Sequence, residues 1–242
     1  MLFSQSGGLV YHARAWRRSA TLWQPFRASV AEWLAAQLPT ADELILVGPS
    51  AGHCLPLDQL ASFRRVLVLD PDPVARWLLT RRLRSHNAKL IVEDEARDQL
   101  LTPLLTDAPG LDQVLERRPQ AALLFCNVLG QLHFASSEEQ HAKFQRNFQR
   151  RIVPRLAQRT WASFHDRWSL DSSEELPPLA RFAERPSDEE LGRRFFGAAG
   201  PPVEVLDHGT ARLFPAELPR RYFSWRITPS AVHIVEALPS SR

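Results

Sequence analysis

The chain has 242 residues, 44% of them hydrophobic and 24% charged. This suits one sizeable domain, or a domain with a lobe, whose core needs no disulfide or metal staple. A net charge of +3, from Lys+Arg 30 against Asp+Glu 27, is no footprint of a dedicated nucleic-acid binder, although it leaves a local basic patch open. The longest apolar run, residues 121–130, is about half of what a membrane-spanning helix needs.

Lys89 and Lys143 are the only lysines, so the basic residues are nearly all arginine. Two cysteines, Cys54 and Cys126, exclude a disulfide scaffold and a four-thiolate zinc site, and no metal centre is expected. The first eight residues lack a basic stretch followed by an apolar one, so a cytoplasmic location is expected.

Residues 11–23 are rich in Ala, Arg and Trp and read as helix, with Pro25 interrupting. Phe26, Val30, Trp33, Leu34 and Leu38 then recur on one face, predicting an amphipathic helix that ends at Pro39. Short apolar runs at 43–47, 65–69, 89–93, 121–126 and 160–164 read as buried strands. Runs this apolar suit strands covered on both faces, and the connections are long enough for crossover helices. One crossover spans 71–85, where Asp72 before Pro73 has the form of an N-cap. Another spans 136–158, with Ser136 and Glu139 as a capping box and Phe144, Phe148, Ile152 and Leu156 on one face.

Residues 169–186 are acidic and proline-rich, a loop or insertion, and Ser187 opens a capped helix that Gly197 or Gly200 ends. Residues 203–206, 222–227 and 231–236 read as strands, the last two antiparallel about a turn at Pro229. The expected fold is α/β: a doubly wound, mostly parallel Rossmann-like sheet with N-terminal helices and an antiparallel C-terminal strand pair. Residues 1–40 are expected to form an N-terminal helical segment, either a packed or exposed helix or a lid, and 41–242 the Rossmann-like domain.

The sharpest local feature is Gly48-Pro49-Ser50-Ala51-Gly52, which follows the first strand directly. In open α/β sheets ligands bind at this carboxyl end. A P-loop fails, because no lysine follows Gly52, and the dinucleotide fingerprint fails at Ser50 and His53. G-x-S-x-G matches literally and describes a hydrolase nucleophile elbow. That elbow normally follows several strands rather than the first, and no oxyanion loop precedes it here. The triad partners that chain order allows are Asp166 or Asp207 with His208 or His233.

With Ser in place of a middle glycine, the same loop resembles the first motif of class I S-adenosylmethionine-dependent methyltransferases. The resemblance runs from about residue 41 to 238 and rests on order and spacing. It implies S-adenosylmethionine as cofactor, held at Gly48, Pro49, Ser50, Ala51 and Gly52. Asp70, followed by Pro71 at the end of the second strand, stands where the family's acid accepts the ribose hydroxyls. Asp94 and Glu95 stand where an acidic contact to the adenine is common, and Asn127 where the family faces cofactor and substrate. One departure is Leu46, where the family usually carries an acid that organises the methionine ammonium. The Asn-Pro-Pro-aromatic run of amino-methylating nucleic-acid enzymes is absent after the fourth strand.

His133, Tyr11 and His12 are the candidates for a catalytic base. The arginines at 146, 150, 151, 155 and 159 populate the polar side of the long helix and read as a solvated face over a phosphate-contacting patch. The low charge and the acidic 169–190 segment favour a small-molecule acceptor over RNA or DNA. Two other readings stay open: a catalytically degenerate binding or scaffold protein, motivated by Leu46, and a Ser50 hydrolase.

Overall fold

The computed structural model describes residues 8–37, 42–94, 110–132, 137–198, 200 and 204–239. Among the described residues nine strands form one sheet in the order β3-β2-β1-β4-β5-β9-β8-β6, with β7 pairing β5 off this path. The strands are β1 (Glu43–Val47), β2 (Arg65–Leu69), β3 (Ile91–Asp94), β4 (Ala122–Cys126), β5 (Trp161–Asp171), β6 (Leu179–Phe182), β7 (Leu206–Asp207), β8 (Arg220–Thr228) and β9 (Ala231–Pro239). β1 to β5 pair parallel, and β9 then pairs antiparallel with both β5 and β8. This is the expected doubly wound sheet with its antiparallel end. The order reverses between β1 and β4, which makes their carboxyl ends the switch point where such sheets bind ligands.

Period-two alternation builds a core on each face. Leu44 and Leu46 of β1 face one helical layer, and Ile45 and Val47 face the other. The first layer comprises α1 (Gly8–Arg18), α2 (Gln24–Gln37), α3 (Leu57–Leu60) and α4 (Pro73–His86). Phe26, Val30, Trp33 and Leu34 of α2 are buried there, each stabilising by about 1.5–3 kcal/mol relative to exposure. Phe26 stacks on Trp225 of β8 at 4.6 Å between ring centroids. Pro25 does not interrupt a helix. It lies in the first turn of α2, where proline's missing N–H costs no helical bond.

The second layer comprises α5 (Leu111–Arg117), α6 (Glu138–Asn147) and α7 (Val153–Leu156). The helix expected over 136–158 is broken. Phe148–Ile152 forms a π-helical turn between α6 and α7, and Pro154 follows it. Proline cannot donate to the carbonyl four residues back, so the backbone widens ahead of it. The capping box sits one residue later than expected: Ser137 Oγ accepts from Gln140 N at 3.3 Å, and Gln140 Oε1 accepts from Ser137 N at 3.0 Å. Ser136 lies outside the described residues.

Asp72 caps α4 as expected, accepting from Val74 N at 2.8 Å and Ala75 N at 3.3 Å. The last helix, α8 (Asp188–Phe196), is capped by Ser187 and ends at Gly197 with φ +76°. The loop or insertion expected over 169–186 is partly sheet: β5 continues to Asp171, and β6 pairs with β8, with irregular chain between and after them. Of the strand expected over 203–206, the described part contributes only β7.

Candidate functional site

The loop from β1 to α3 is wound left-handed at three positions: Gly48 (φ +65°), Ser50 (φ +50°) and Gly52 (φ +69°). Ser50 and Asn127 are the only non-glycine residues with positive φ among those described. They follow β1 and β4, the two strands of the switch point. Such conformations cost about 1–3 kcal/mol each and persist only where surroundings hold them. Here Ser50 N donates to Asp70 Oδ2 at 2.7 Å, and Asp72 N donates to Asp70 Oδ1 at 2.9 Å. Arg82 of α4 donates to the Ala51 carbonyl from the other side.

Asp70 is therefore a buried tether between the β1 loop and the start of α4, not an exposed strand end. Burial pushes its carboxyl up to about 6, against the lowering effect of the Asp72 and Ser50 N–H groups. Each oxygen accepts one backbone hydrogen bond and keeps capacity for a second. Nearby, His12 Nε2 of α1 stands 3.4 Å from Asp72 Oδ2, and its ring centroid is 5.8 Å from that of His53. Burial, with Arg82 second, lowers His53 to about 4.

Gly52 serves packing. A Cβ there would lie 2.7 Å from Leu79 Cδ1 and 3.1 Å from Leu57 Cδ2, on the core side of the loop. Gly52→Val is thus expected to destabilise the fold by about 2–4 kcal/mol through overpacking and strain. Thermal melting without ligand checks this. A melting temperature equal to the parent's would refute it.

At the β4 end, Asn127 N donates to the Phe164 carbonyl at 2.7 Å. Its side-chain amide pairs reciprocally with β5. Nδ2 donates to Asp166 Oδ2 at 3.2 Å, and Oδ1 accepts from Asp166 N at 2.8 Å. Asp166 is buried, and its other oxygen lies 3.1 Å from His233 Nδ1 of β9. His208, also buried, holds the Gly130 carbonyl at 3.1 Å through Nδ1 and Ser169 Oγ at 3.1 Å through Nε2. Burial alone raises Asp166, but His233, His208 and the Asn127 amide outweigh it and hold the carboxyl below its usual range. Asp166, His208 and His233 are separate triad candidates by chain order; their meeting beside Asn127 carries no spacing signal in the sequence.

A second polar set shows why composition alone misleads. Ser163 Oγ lies 2.9 Å from His165 Nδ1, and His165 Nε2 lies 3.1 Å from Glu236 Oε2. This Ser-His-Glu chain is 0–1% exposed throughout, so no substrate reaches it and its role is structural. Among the described residues no hydrogen bond joins Ser50 to a histidine.

Of the other expected site residues, Pro49 and Ala51 are buried and Pro71 is exposed. Glu95 and His133 lie outside the described residues, as do the side chains of Asp94 and Tyr11. Both cysteines are buried and outside any disulfide, and burial pushes the Cys126 thiol up. Three arginines of the long helical segment bind α5 or its carboxyl end. Arg151 pairs with Asp112 at 2.6 Å, Arg155 with Glu116 at 2.5 Å, and Arg159 donates to the Leu115 carbonyl at 3.1 Å. No described helix is long and apolar enough to cross a membrane.

No protein-family model matches the chain, and no curated protein matches it in sequence. Among solved structures it is similar to magnesium protoporphyrin IX methyltransferase (ChlM) from Synechocystis PCC 6803 with bound SAH. Identity is 15%, over 95% of this chain and 94% of that one, with a TM-score of 0.44. It is also similar to the methyltransferase domain of bacterial CtHen1-CN, at 12% identity over 90% of this chain and all of that one, TM-score 0.38. A third is the bifunctional kinase-methyltransferase WbdD: 12% identity, TM-score 0.40, covering 93% of this chain but only 40% of that one.

Proposed function

We propose that this protein transfers a methyl group from S-adenosylmethionine to a small-molecule acceptor. The observation that carries the reading is the left-handed loop at the β1/β4 switch point, tied by Ser50 N to a buried Asp70 with unused acceptor capacity. The fit is good at Asp70 and departs at Leu46, which is wholly buried in the core and offers no charge to an ammonium. When bound, the cofactor supplies a methyl on a sulfonium, a potent leaving group. Asp70 accepts the ribose hydroxyls and Gly48 to Gly52 line the cofactor, with Pro71, Asp94 and Glu95 on its adenosine side. Asn127 stands toward the acceptor. Tyr11, His12 and His133 are the candidate bases, with α1 as lid over the loop. Arg151, Arg155 and Arg159 engage their own fold, which favours a small acceptor over nucleic acid.

Calorimetry with S-adenosylhomocysteine tests the reading, beside thermal shifts with S-adenosylmethionine, S-adenosylhomocysteine, NAD and ATP. Binding of NAD or ATP without either adenosyl ligand would overturn it. Asp70→Ala should weaken S-adenosylhomocysteine by about 1.5–3 kcal/mol. It should also lower the melting temperature, because two backbone N–H groups lose their acceptor. Affinity should fall as pH drops below about 6, because the ionised carboxylate is the stronger acceptor. A flat affinity profile from pH 5 to 7 would remove Asp70 from the site.

The second reading, a degenerate fold serving as a binding or scaffold partner, draws on Leu46. A folded protein that no adenosyl ligand shifts favours it. An esterase activity abolished by Ser50→Ala would instead favour the hydrolase.

A further inference from the structure

We propose that Asp166, His208 and His233 form a binding site for one divalent first-row transition ion of the kind that accepts imidazole nitrogen, such as zinc, cobalt or ferrous iron. One ligand atom from each of the three lies within 4.8 Å of the other two. The ligands come from β5, from the segment after β7 and from β9, which the β5–β9 ladder brings together. That ladder is irregular between Asp166 and Trp168. Such irregularities re-aim side chains and recur beside functional sites.

Asp166 Oδ1 and His233 Nδ1 carry the argument. They stand 3.1 Å apart as an ion pair, both atoms buried, and neither has a hydrogen-bond partner beyond the other. Each of these buried atoms thus has only the other to satisfy it, and an ion shared between them would serve both. Two atoms each roughly 2.0–2.2 Å from a common ion are separated by about 3.0 Å at an octahedral angle and about 3.4 Å at a tetrahedral one. The observed 3.1 Å falls between these values, nearer the octahedral end, so the two atoms stand close enough to share an ion with little movement.

The surroundings orient all three. Asn127 Nδ2 donates to the second Asp166 oxygen, which fixes the carboxylate plane. The Gly130 carbonyl accepts from His208 Nδ1–H, leaving Nε2 as the lone-pair nitrogen that now takes the Ser169 hydroxyl. A histidine whose far nitrogen donates to a carbonyl is the usual support for a metal ligand. Two imidazoles and one carboxylate leave coordination positions open for water or a substrate oxygen. The site does not depend on methyl transfer, and a plain Asp166–His233 ion pair is the competing description.

The test titrates metal-stripped full-length protein with Co2+, reading visible absorbance, and with Zn2+ against a chromophoric chelator. The expected result is one equivalent of either ion, with Zn2+ raising the melting temperature. His233→Ala alters the least buried ligand and should weaken binding at least tenfold, and Asp166→Asn should do the same. His86→Ala, in the last turn of α4, should bind like the parent. If His233→Ala fails to fold, His233→Gln replaces it. Folded parent protein that binds no stoichiometric ion would overturn the proposal. So would uptake that His233→Ala leaves unchanged, which would assign the ion to other histidines.

Discussion

Glu236→Ala is expected to cost about 3–5 kcal/mol of stability, because it breaks a buried ion pair by removing one partner. Glu236 is 1% exposed. Its Oε1 accepts from Arg220 Nε at 2.6 Å and from Tyr222 OH at 2.7 Å, while His165 lies 3.1 Å from Oε2. Removal strands the Arg220 guanidinium, itself 1% exposed, inside the antiparallel half of the sheet. For a chain of this size the melting temperature should fall by roughly 6–20 °C. Burial alone raises the Glu236 carboxyl, but His165, Arg220 and Tyr222 outweigh it and hold it low. A carboxylate held low in the folded state contributes stability above its unfolded value, about 4.5. That contribution is lost as pH falls through the lower folded value. The variant should therefore show a shallower acid limb in melting experiments below pH 4.5. A variant that melts within a degree or two of the parent would show that the network contributes little.

Gly48→Ala should destabilise by about 2–5 kcal/mol, combining strain at positive φ with overpacking. A Cβ at Gly48 would stand 2.5 Å from Val128 Cβ and 2.7 Å from its Cγ2. Val128 is β-branched and buried just past β4, so it cannot swing aside as a flexible side chain would. The effect should appear in ligand-free protein by denaturant unfolding. Val128→Ala in the same chain should recover only a small part of the loss, because it removes the methyl contacts but keeps the 2.5 Å contact with Cβ and the backbone strain. No recovery would place the cost in the Cβ contact and the backbone, not in the methyl groups.

The two glycines of the loop illustrate what was legible. Their identity and spacing after an apolar run marked a tight strand-to-helix connection at the switch point. The reason each must be glycine was not legible. Gly48 meets Val128 and Gly52 meets Leu79 and Leu57, contacts made across the fold. Asp70 was legible as the residue ending the second strand. Its burial and its bond to Ser50 N were hidden, because both depend on how β1 and β2 stack in register.

β1 and β2 coincide with their apolar runs because a buried parallel strand needs continuous hydrophobicity and the flanking turns bound it. β6 escapes a reading of the sequence because Leu179–Phe182 is a four-residue edge strand in a proline-rich segment, too short for alternation to register. The break before α7 turned on Pro154, which apolar periodicity overrode.

The sequence by itself determined the order of the five parallel strands, the two-sided burial of the sheet and the position of the glycine loop. Those follow from apolar runs, side-chain period and turn chemistry within a few residues of one another. Only the tertiary structure decided that Asp166, His208 and His233 converge beside Asn127, while Ser163, His165 and Glu236 are sealed in the core. Ionisable side chains far apart in the chain carry no periodic signal. Strand pairing brings them together, and it seals one set wholly in the core while leaving His233 of the other set half-buried.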